Sequence, residues 1–408
     1  MPPRRGRRTG RRHRRGTAMA SESRSGSREG GPGMRAWLEL LRISNLPTVW
    51  TNVLAGGVIA DTAAVGARSW GFPAGTMIVV LISGSCLYLA GMVLNDVFDL
   101  KIDRQERPNR PIPSGRISRR SAAMLGTILL VVGASLAWTI SIETGITALV
   151  IAGLVVLYER IHATTSWSVL VMAACRAGLY VMAGFAVVAS SVADGATPDP
   201  ETARNAVGFS VLIAIPAFVH VACFSLIARF EVPDVRETCP ECEQIVLSDH
   251  AVCPECAAAC GPEQRTERAS SRLQRLRSWC GSGTLVLLLP FLGCCGLFGL
   301  VSISDGAPYA FGMSEHRAFL LVGANLVSIL ILGAYLVRSK RGLAEKPHEV
   351  GRFVLRSIAV LSLYDAAICG LVALEGFDQK DDGLLTATII CITCFLIVRW
   401  SHRRIPGT

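Results

Sequence analysis

The chain contains repeated apolar runs of the length that crosses a lipid bilayer, and no other feature of the sequence constrains its fold as strongly. About 20 apolar residues in a helix span the hydrocarbon core. The runs lack the alternation of a transmembrane barrel, so only α-helices can satisfy their backbone groups in lipid. The sequence therefore predicts an all-α fold, a polytopic transmembrane helical bundle with nine or ten spans. The predicted spans are 36–60, 74–95, 121–140, 144–159, 167–190, 206–229, 282–303, 317–337, 352–374 and 384–400.

The distribution of Lys and Arg predicts which side of the membrane each connection occupies, because cytoplasmic connections are enriched in these residues. Lys and Arg concentrate in the N-terminal tail, in 96–120, 229–279 and 338–356, and in the C-terminal segment. The connections between these segments are poor in them. We expect an integral, multi-pass protein of a bacterial inner membrane. Both chain ends and the 96–120 and 229–279 connections would then lie in the cytoplasm.

Most of the formal net charge of +10 comes from an Arg-rich tail, residues 1–33, which holds ten Arg and two Glu. This tail has no apolar content to bury, so it is predicted to be disordered. Binding to nucleic acid or anionic lipid is one interpretation. We favour a solvated tail, or a true start at Met19 or Met34, and expect no specific nucleic acid partner.

The segment NDVFDLKIDRQERPNRPIPSG, residues 95–115, directly follows the second predicted span. On a helix that continues out of the membrane, Asp96, Asp99 and Asp103 fall on one face. Three carboxylates on one face repel one another unless a cation lies among them. Oxygen ligands of this kind suit Mg²⁺, which commonly joins one or two carboxylates to substrate phosphates. These aspartates are the predicted catalytic and metal-binding residues.

Basic residues surround the aspartates and offer donors for phosphate oxygens. Prolines at 108, 111 and 113 end the helix and stiffen the segment that follows it. Carboxylates for a metal, arginines for phosphate and an apolar bundle behind them favour a diphosphate on a lipid tail. The alternative is an ordinary solvated face next to the membrane. The basic residues in question are Lys101, Arg104, Arg107, Arg110 and Arg116.

This segment resembles the first aspartate-rich motif, with its following RPxRPxPSG, of the UbiA superfamily of intramembrane prenyltransferases. Two weaker similarities support it: Arg42 and Asn45 in LRISNLPTVWTNVLAGG, and Arg176 in MAACRAGLYVMAG. The resemblance implies Mg²⁺-dependent transfer of an isoprenoid chain from a prenyl diphosphate donor to a lipophilic acceptor, at the surface of a lipid bilayer. The substrate-binding residues that it implies are Asn95, Arg104, Arg107, Arg110, Arg160, Arg176 and Arg42.

The second acidic motif of that family is degenerate in this chain. Glu231, Asp234 and Glu237 follow the sixth predicted span, and Pro233 interrupts any long helix through them. Glu231 and Asp234 are interpreted either as ligands of a second Mg²⁺ or as plain solvated acids. The segment ARFEV at 228–232 is similar to EboC-like members of the superfamily.

An insertion after this segment carries two CxxC pairs, Cys239 with Cys242 and Cys253 with Cys256. Two such pairs can wrap one tetrahedral metal, which predicts a structural Zn²⁺ in a ribbon-like loop, with iron as the second choice. Four thiolates leave no open coordination position, so a catalytic zinc is not expected. The predicted domains are the tail 1–33, the first part of the bundle 34–230, the zinc-binding insertion 231–281, and the remaining helices 282–408.

Two polar residues fall within predicted spans. His220 is interpreted as a hydrogen-bonded bundle histidine, and Asp365 as a residue that faces an internal cavity. A transporter is a rival function, although transport sites usually lie near the middle of the membrane. Lipid phosphoalcohol transfer is a second rival, but its DGxxAR pattern is missing from the motif. A non-catalytic membrane protein whose zinc-binding loop recruits partners is the third.

Overall fold

The computed structural model describes residues 33–65, 74–193, 199–229, 236–238, 245–247, 349–375 and 382–404, together with helical positions 330 and 334. Almost all of this is helix, with one pair of short antiparallel strands. The helices are α1 (Met34–Leu40), α2 (Pro47–Val65), α3 (Ala74–Phe98), α4 (Leu100–Glu106), α5 (Arg119–Trp138), α6 (Ile142–Ile161), α7 (Ser168–Ala193), α8 (Pro200–Ala228), α9 (Glu349–Glu375) and α10 (Asp382–Arg404), and the strands are β1 (Arg236–Thr238) and β2 (Ile245–Leu247).

Seven of the described helices, α3 and α5 to α10, are long and apolar enough to cross a membrane. The chain is therefore an integral, multi-pass membrane protein. Helix α2 has 19 residues but carries buried polar side chains, and it is not among the seven. Predicted spans 282–303 and 317–337 lie outside the described residues, so the count of nine or ten remains a prediction.

The first predicted span, 36–60, is wrong at its start. The chain leaves helix after Leu40, because Arg42 has left-handed backbone angles (φ 46°, ψ 46°), and a short 3₁₀ turn follows at Ile43–Asn45. Helix α2 then begins at Pro47. Proline favours the first turn of a helix, where its missing N–H costs nothing. Arg42 and Asn45 consequently lie between two helices, near the end of α3.

Side-chain caps define where several helices begin. The hydroxyl of Ser118 accepts a hydrogen bond from Ser121 N at the start of α5, and that of Ser141 accepts one from Thr144 N at the start of α6. The Asp199 carboxylate caps α8 in the same way. Each cap satisfies a backbone donor that the first helical turn leaves unpaired.

Helix α2 lies at the centre of the bundle, in contact with α3, α7, α8, α9 and α10. Gly56 allows its closest approach to α7: a Cβ at this position would lie 2.7 Å from the Tyr180 carbonyl oxygen and 2.8 Å from its Cα. No side chain could fit there without separating the helices. This approach also brings Asn52, one turn earlier on α2, against the Tyr180 side chain.

Candidate active site

Two of the predicted aspartates, Asp96 and Asp103, share arginine partners where α3 ends and α4 begins. Asp96 Oδ1 accepts hydrogen bonds from Arg42 Nη2 at 2.9 Å and from Arg110 Nη1 at 3.2 Å. The same Arg110 nitrogen donates to Asp103 Oδ2 at 2.8 Å. Both carboxylates are buried, at 3% and 2% exposure. Arg110 thus joins two acidic side chains that the sequence places seven residues apart.

The third aspartate, Asp99, faces α6 instead. Its Oδ1 lies 2.7 Å from His162 Nε2, and its Oδ2 accepts from Asn95 Nδ2 at 3.4 Å. Asn95 Nδ2 also donates to Glu159 Oε2 at 3.2 Å. The structure therefore joins the predicted residues Asn95 and Asp99 to a buried glutamate and a histidine at the end of α6. We call Asn95, Asp96, Asp99, Asp103, Arg42, Arg110, Glu159 and His162 together the aspartate site.

Local backbone structure explains how these residues come together. Helix-type hydrogen bonds continue through this segment, from Asp99 N to Asn95 O at 2.9 Å and from Asp103 N to Asp99 O at 2.8 Å. The helix is distorted at Asp99, where ψ is 1°, so α3 and α4 are separate helices. Asp99 is consequently turned away from the Arg110 side.

The segment after α4 folds back over the aspartates. Ile112 and Ile117 are buried against the apolar ends of α1 and α3. Gly115 has φ +76°, a conformation that favours glycine, at the turn between them. This anchoring holds Arg110 over Asp96 and Asp103 and is the structural role of the proline-rich segment.

Burial and pairing shift the ionisation of the groups outside the spans. Burial raises the pKa of Asp103, and the Arg110 charge partly opposes that shift. The pKa of Arg110 is lowered, mainly by its own burial. The hydrogen bond to Asp99 raises the pKa of His162. Burial thus disfavours the charged form of Asp103, and the neighbouring Arg110 cation favours it.

The other predicted arginines of this region are exposed or partly exposed. Arg104 and Arg160 are exposed, and Arg107 is partly exposed beside Arg110. Arg116 makes an exposed pair with Glu39 of α1, with N–O distances of 2.8 Å and 3.1 Å. Within the described part of the chain, Arg42 and Arg110 are the arginines whose hydrogen bonds to Asp96 and Asp103 are established.

Arg176 occupies a second polar region, deeper in the bundle. Its Nη1 donates to Thr48 Oγ1 at 3.0 Å and to Asn52 Oδ1 at 3.2 Å, both on α2. Its guanidinium carbon lies 5.4 Å from the centre of the Tyr88 ring on α3. The sequence-predicted substrate residues therefore divide into two groups, one at the end of α3 and one inside the bundle.

The two polar residues predicted to lie inside spans, Asp365 and His220, are both hydrogen-bonded. Asp365 is fully buried and accepts from Tyr180 and Asn52. His220 lies 2.8 Å from the Ser357 carbonyl oxygen, as expected for a bundle histidine.

Sequence reasoning missed Glu159 and His162. Glu159 is 5% exposed on an otherwise apolar helix, and His162 follows it at i+3. A carboxylate and an imidazole on one face where a membrane helix ends form a detectable signal. Their partners, however, lie more than 60 positions earlier in the chain.

Several predicted ligands lie outside the described residues. These are Glu231 and Asp234 of the degenerate acidic motif, and the four cysteines Cys239, Cys242, Cys253 and Cys256. Strands β1 and β2 pair antiparallel, with Arg236 opposite Leu247, on either side of the first CxxC pair in the chain. The zinc site remains a prediction.

The aspartate site fits Mg²⁺ by the chemistry of its donors, since carboxylate oxygens are the ligands this ion prefers. Among the described residues, no three His, Cys, Asp or Glu side chains converge closely enough to hold a metal ion together. Arg110 lies between Asp96 and Asp103, and His162 holds Asp99. Metal binding would require these carboxylates to exchange their present partners.

Part of the chain matches a known protein family. Residues 52–238 match the UbiA prenyltransferase family. A digeranylgeranylglyceryl phosphate synthase of Sulfurisphaera tokodaii is 36% identical over 116 residues, which cover 28% of this chain and 39% of that protein. One from Methanosarcina mazei is 35% identical over 138 residues, covering 31% of this chain and 46% of that protein. The chain thus spans less than half the length of these curated relatives.

A solved structure is also similar, the apo form of a UbiA homologue from Aeropyrum pernix. It is 16% identical with a TM-score of 0.47, and the match covers 78% of this chain and 96% of that one. The relatives named here are archaeal, so the bacterial membrane and the EboC-like branch remain predictions.

Proposed function

We propose that this chain, whose residues 52–238 form a UbiA prenyltransferase family domain, is a Mg²⁺-dependent membrane enzyme. It would move an isoprenoid chain from a prenyl diphosphate to a lipophilic acceptor. One observation carries the proposal: two buried carboxylates, Asp96 and Asp103, meet two arginines, Arg42 and Arg110, at the end of an apolar helix. Carboxylates that suit a metal ion and arginines that suit phosphate oxygens, placed beside an apolar bundle, favour the binding of an anion together with a cation.

The arginines supply the donors for the diphosphate. Arg42 and Arg110 have side chains only 20% and 16% exposed, so their hydrogen bonds to an anion are poorly screened by water. Each guanidinium has more N–H groups than its carboxylate partner uses. Arg104, Arg107 and Arg160 are proposed to attract the diphosphate from the surface, where their exposure suits long-range attraction.

Asp96, Asp99 and Asp103 would hold Mg²⁺, which would neutralise the charge that develops on the departing diphosphate. Glu231 and Asp234 are proposed to complete a second metal position. His162 and Asn95 orient Asp99 through hydrogen bonds. These residues hold the carboxylates where α3 meets α4.

The bundle behind the site excludes water from the reacting carbon. Leu94 and Val97 are buried beside the aspartates on α3. As the allylic C–O bond of the donor breaks, positive charge develops on its first carbon, which water would otherwise capture. The acceptor then attacks that carbon and loses a proton. Most of the rate enhancement would come from stabilising the departing diphosphate and from keeping water away from the reacting carbon.

Substitution of the aspartates tests the proposal. Asp96→Asn and Asp99→Asn in the purified full chain should each reduce Mg²⁺-dependent diphosphate release from geranylgeranyl diphosphate by about 10³-fold, as expected when a charge at the leaving group is lost. Asp199→Asn is the matched control, because Asp199 is an exposed cap of α8 and asparagine caps equally well. It should leave the rate unchanged.

Release that is indifferent to both aspartate substitutions would end the prenyltransferase proposal. Loss of release in the Asp199 variant as well would show that the assay reports folding rather than the site.

The insertion is proposed to bind one Zn²⁺ through Cys239, Cys242, Cys253 and Cys256 in a structural role. Thiolates are strong zinc ligands, and the antiparallel pair β1–β2 on either side of the first CxxC is typical of a ribbon. Metal analysis of the purified chain should find one zinc per molecule, lost when Cys239 and Cys242 are both changed to serine. We also propose that this loop and the aspartate site face the cytoplasm.

A further inference from the structure

We propose, on the basis of the prenyl transfer described above, that Asn52, Tyr180 and Asp365 position Arg176 to bind an anionic group of the acceptor. That group would be a carboxylate or a phosphate, bound inside the bundle and separate from the diphosphate of the donor. We call the three positioning residues the Asp365 triangle.

The triangle is fully hydrogen-bonded and joins three helices. Tyr180 on α7 donates its hydroxyl hydrogen to Asp365 Oδ1 at 2.7 Å. Asn52 Nδ2 on α2 donates to Asp365 Oδ2 and to the Tyr180 oxygen, each at 2.8 Å. The amide nitrogen has two hydrogens and the phenol has one, so every hydrogen of the triangle is used. Asp365 itself lies on α9 with 0% exposure.

The carboxylate fixes the orientation of Asn52. An ionised carboxylate only accepts hydrogen bonds, so Asn52 must turn its NH₂ toward Asp365. Its carbonyl oxygen then points to the other side, where it accepts from Arg176 Nη1 at 3.2 Å. Asp365 therefore acts on Arg176 through the Asn52 amide, which makes it a positioning residue rather than a ligand.

Arg176 retains donors for a ligand. Both of its hydrogen bonds to described residues, to Thr48 and Asn52, come from Nη1. Within the described part of the chain, Nε and Nη2 have no hydrogen-bond partner, and the side chain is partly exposed between α2, α3 and α7. Guanidinium donors left unpaired at membrane depth are costly. Two parallel N–H groups fit the paired oxygens of a carboxylate or phosphate.

Tyr88 connects this region to the aspartate site. Its ring lies under the Arg176 guanidinium, with 5.4 Å between the guanidinium carbon and the ring centre, and it belongs to α3, the helix that carries Asn95 and Asp96 at its end. Arg42 donates to Asp96. A group held by Arg176 would thus lie beside α3, on the bundle side of the aspartate site.

The experiment measures binding rather than turnover. Purified full chain in detergent is titrated with dodecyl phosphate, dodecanoate and dodecanol, and separately with geranylgeranyl diphosphate. The variants are Arg176→Gln and Asp365→Asn, with Tyr364→Phe as the matched control. Tyr364 is the neighbouring residue on α9 and donates to the Ile213 carbonyl oxygen at 2.8 Å, so its change removes a contact of α9 with α8 and leaves the three hydrogen bonds of the triangle in place.

We expect the unmodified chain to bind one of the two anionic probes more tightly than dodecanol, and the tighter anion identifies the head group. Arg176→Gln and Asp365→Asn should each weaken that binding by about tenfold or more, the value of one charge-assisted hydrogen bond. Asparagine at 365 offers one acceptor oxygen in place of two, so Asn52 and Tyr180 can no longer both donate to it, and the Asn52 amide is no longer fixed toward Arg176. Affinity for geranylgeranyl diphosphate should change less than about twofold, within the spread seen at sites that do not interact.

Equal binding of dodecanol, or probe affinity unchanged in both variants, would overturn the proposal. So would an equal loss of geranylgeranyl diphosphate affinity, since Arg176 would then belong to the donor site. A tenfold loss in Tyr364→Phe would show that α9 packing alone is responsible. If Asp365→Asn does not fold, Tyr180→Phe replaces it, and a probe affinity identical to that of the unmodified chain would count against the triangle. Failure of the prenyltransferase proposal would appear instead as diphosphate release that ignores Asp96 and Asp99.

Discussion

The carboxylates at the end of α3 are held by charged side chains, whereas the Asp365 carboxylate inside the bundle is held by uncharged ones. Asp96 and Asp103 pair with Arg42 and Arg110, whose side chains reach solvent. Asp365 accepts from a phenol and an amide, and all three groups are buried. Charged partners that reach water can be exchanged for a ligand at low cost, but the partners of Asp365 cannot.

Aspartate therefore has different roles in the two regions. At the end of α3 the Arg–Asp ion pairs are strong because little water reaches them, yet a ligand can still replace one partner. That combination suits a site that must bind and release diphosphate. In the triangle, the hydrogen bonds fix three helices and the orientation of one amide. Substitutions should therefore affect mainly stability in the triangle and mainly catalysis at the aspartate site.

The largest effect on stability is expected from Asp365→Ala. It leaves the Tyr180 hydroxyl and the Asn52 amide without an acceptor, which should lower the free energy of unfolding by about 2–4 kcal/mol, at about 1–2 kcal/mol for each donor. Thermal unfolding of the purified chain in detergent measures it. Asp96→Ala should cost far less, because Arg42 and Arg110 can turn to water. Equal losses for the two would remove the contrast.

Arg110→Gln should have the next largest effect, in this case on binding of the prenyl diphosphate. Its guanidinium contacts both Asp96 and Asp103, so its loss should raise the KM for geranylgeranyl diphosphate by about 10- to 100-fold, the value of one or two charge-assisted hydrogen bonds. Initial rates at varied donor concentration provide the measurement. Arg119→Gln, an exposed arginine at the start of α5, serves as control and should leave KM unchanged.

His162→Gln should change the pH dependence of stability. The hydrogen bond to Asp99 raises the pKa of His162. Stabilisation from the protonated ring is thus fully present below its unfolded pKa of about 6.5 and is lost as pH rises through the higher folded value. The melting-temperature advantage of the unmodified chain over the variant should shrink between acidic and alkaline buffer. An advantage that is constant with pH would mean that His162 is neutral throughout.

The smallest effect is expected from Arg116→Ala. Its pair with Glu39 is bidentate, but the Arg116 side chain is 39% exposed. Exposed pairs contribute about 0–1 kcal/mol. The melting temperature should therefore change by little more than the experimental error, and it should not change at high salt. A loss comparable to that of Asp365→Ala would show that α1 is fixed mainly through this contact.

Much of the fold was predictable because each span is a local apolar run. The predicted spans 121–140, 144–159 and 206–229 overlap α5, α6 and α8 over most of their length. The break at Arg42 was missed because residues 36–60 were interpreted as one span, although the polar stretch RISN and Pro47 mark the point where α2 begins. It depends on one residue in a left-handed conformation that contacts Asp96.

The site was predictable where the motif is contiguous and not where it is assembled from distant helices. Asp96, Asp99 and Asp103 lie within one short segment, so their spacing predicted neighbouring carboxylates, but not that Asp99 would turn to His162 while Asp96 and Asp103 share Arg110. Glu159 and His162 join the aspartate site only because α3 packs on α6. The triangle joins residues up to 313 positions apart. Hydrophobic periodicity specifies that helices pack but not which polar side chains then meet.

The position of Arg42 before α2 has a consequence for biosynthesis. Its partner Asp96 lies at the end of α3, and Arg110 follows shortly afterwards. These contacts need only the first helical hairpin of the chain, so they can form while the ribosome is still adding later helices. The triangle must wait for α9. In the nascent protein, Asp96 would thus be paired with arginine at the membrane surface before the hydrogen bonds of the Asp365 triangle form inside the bundle.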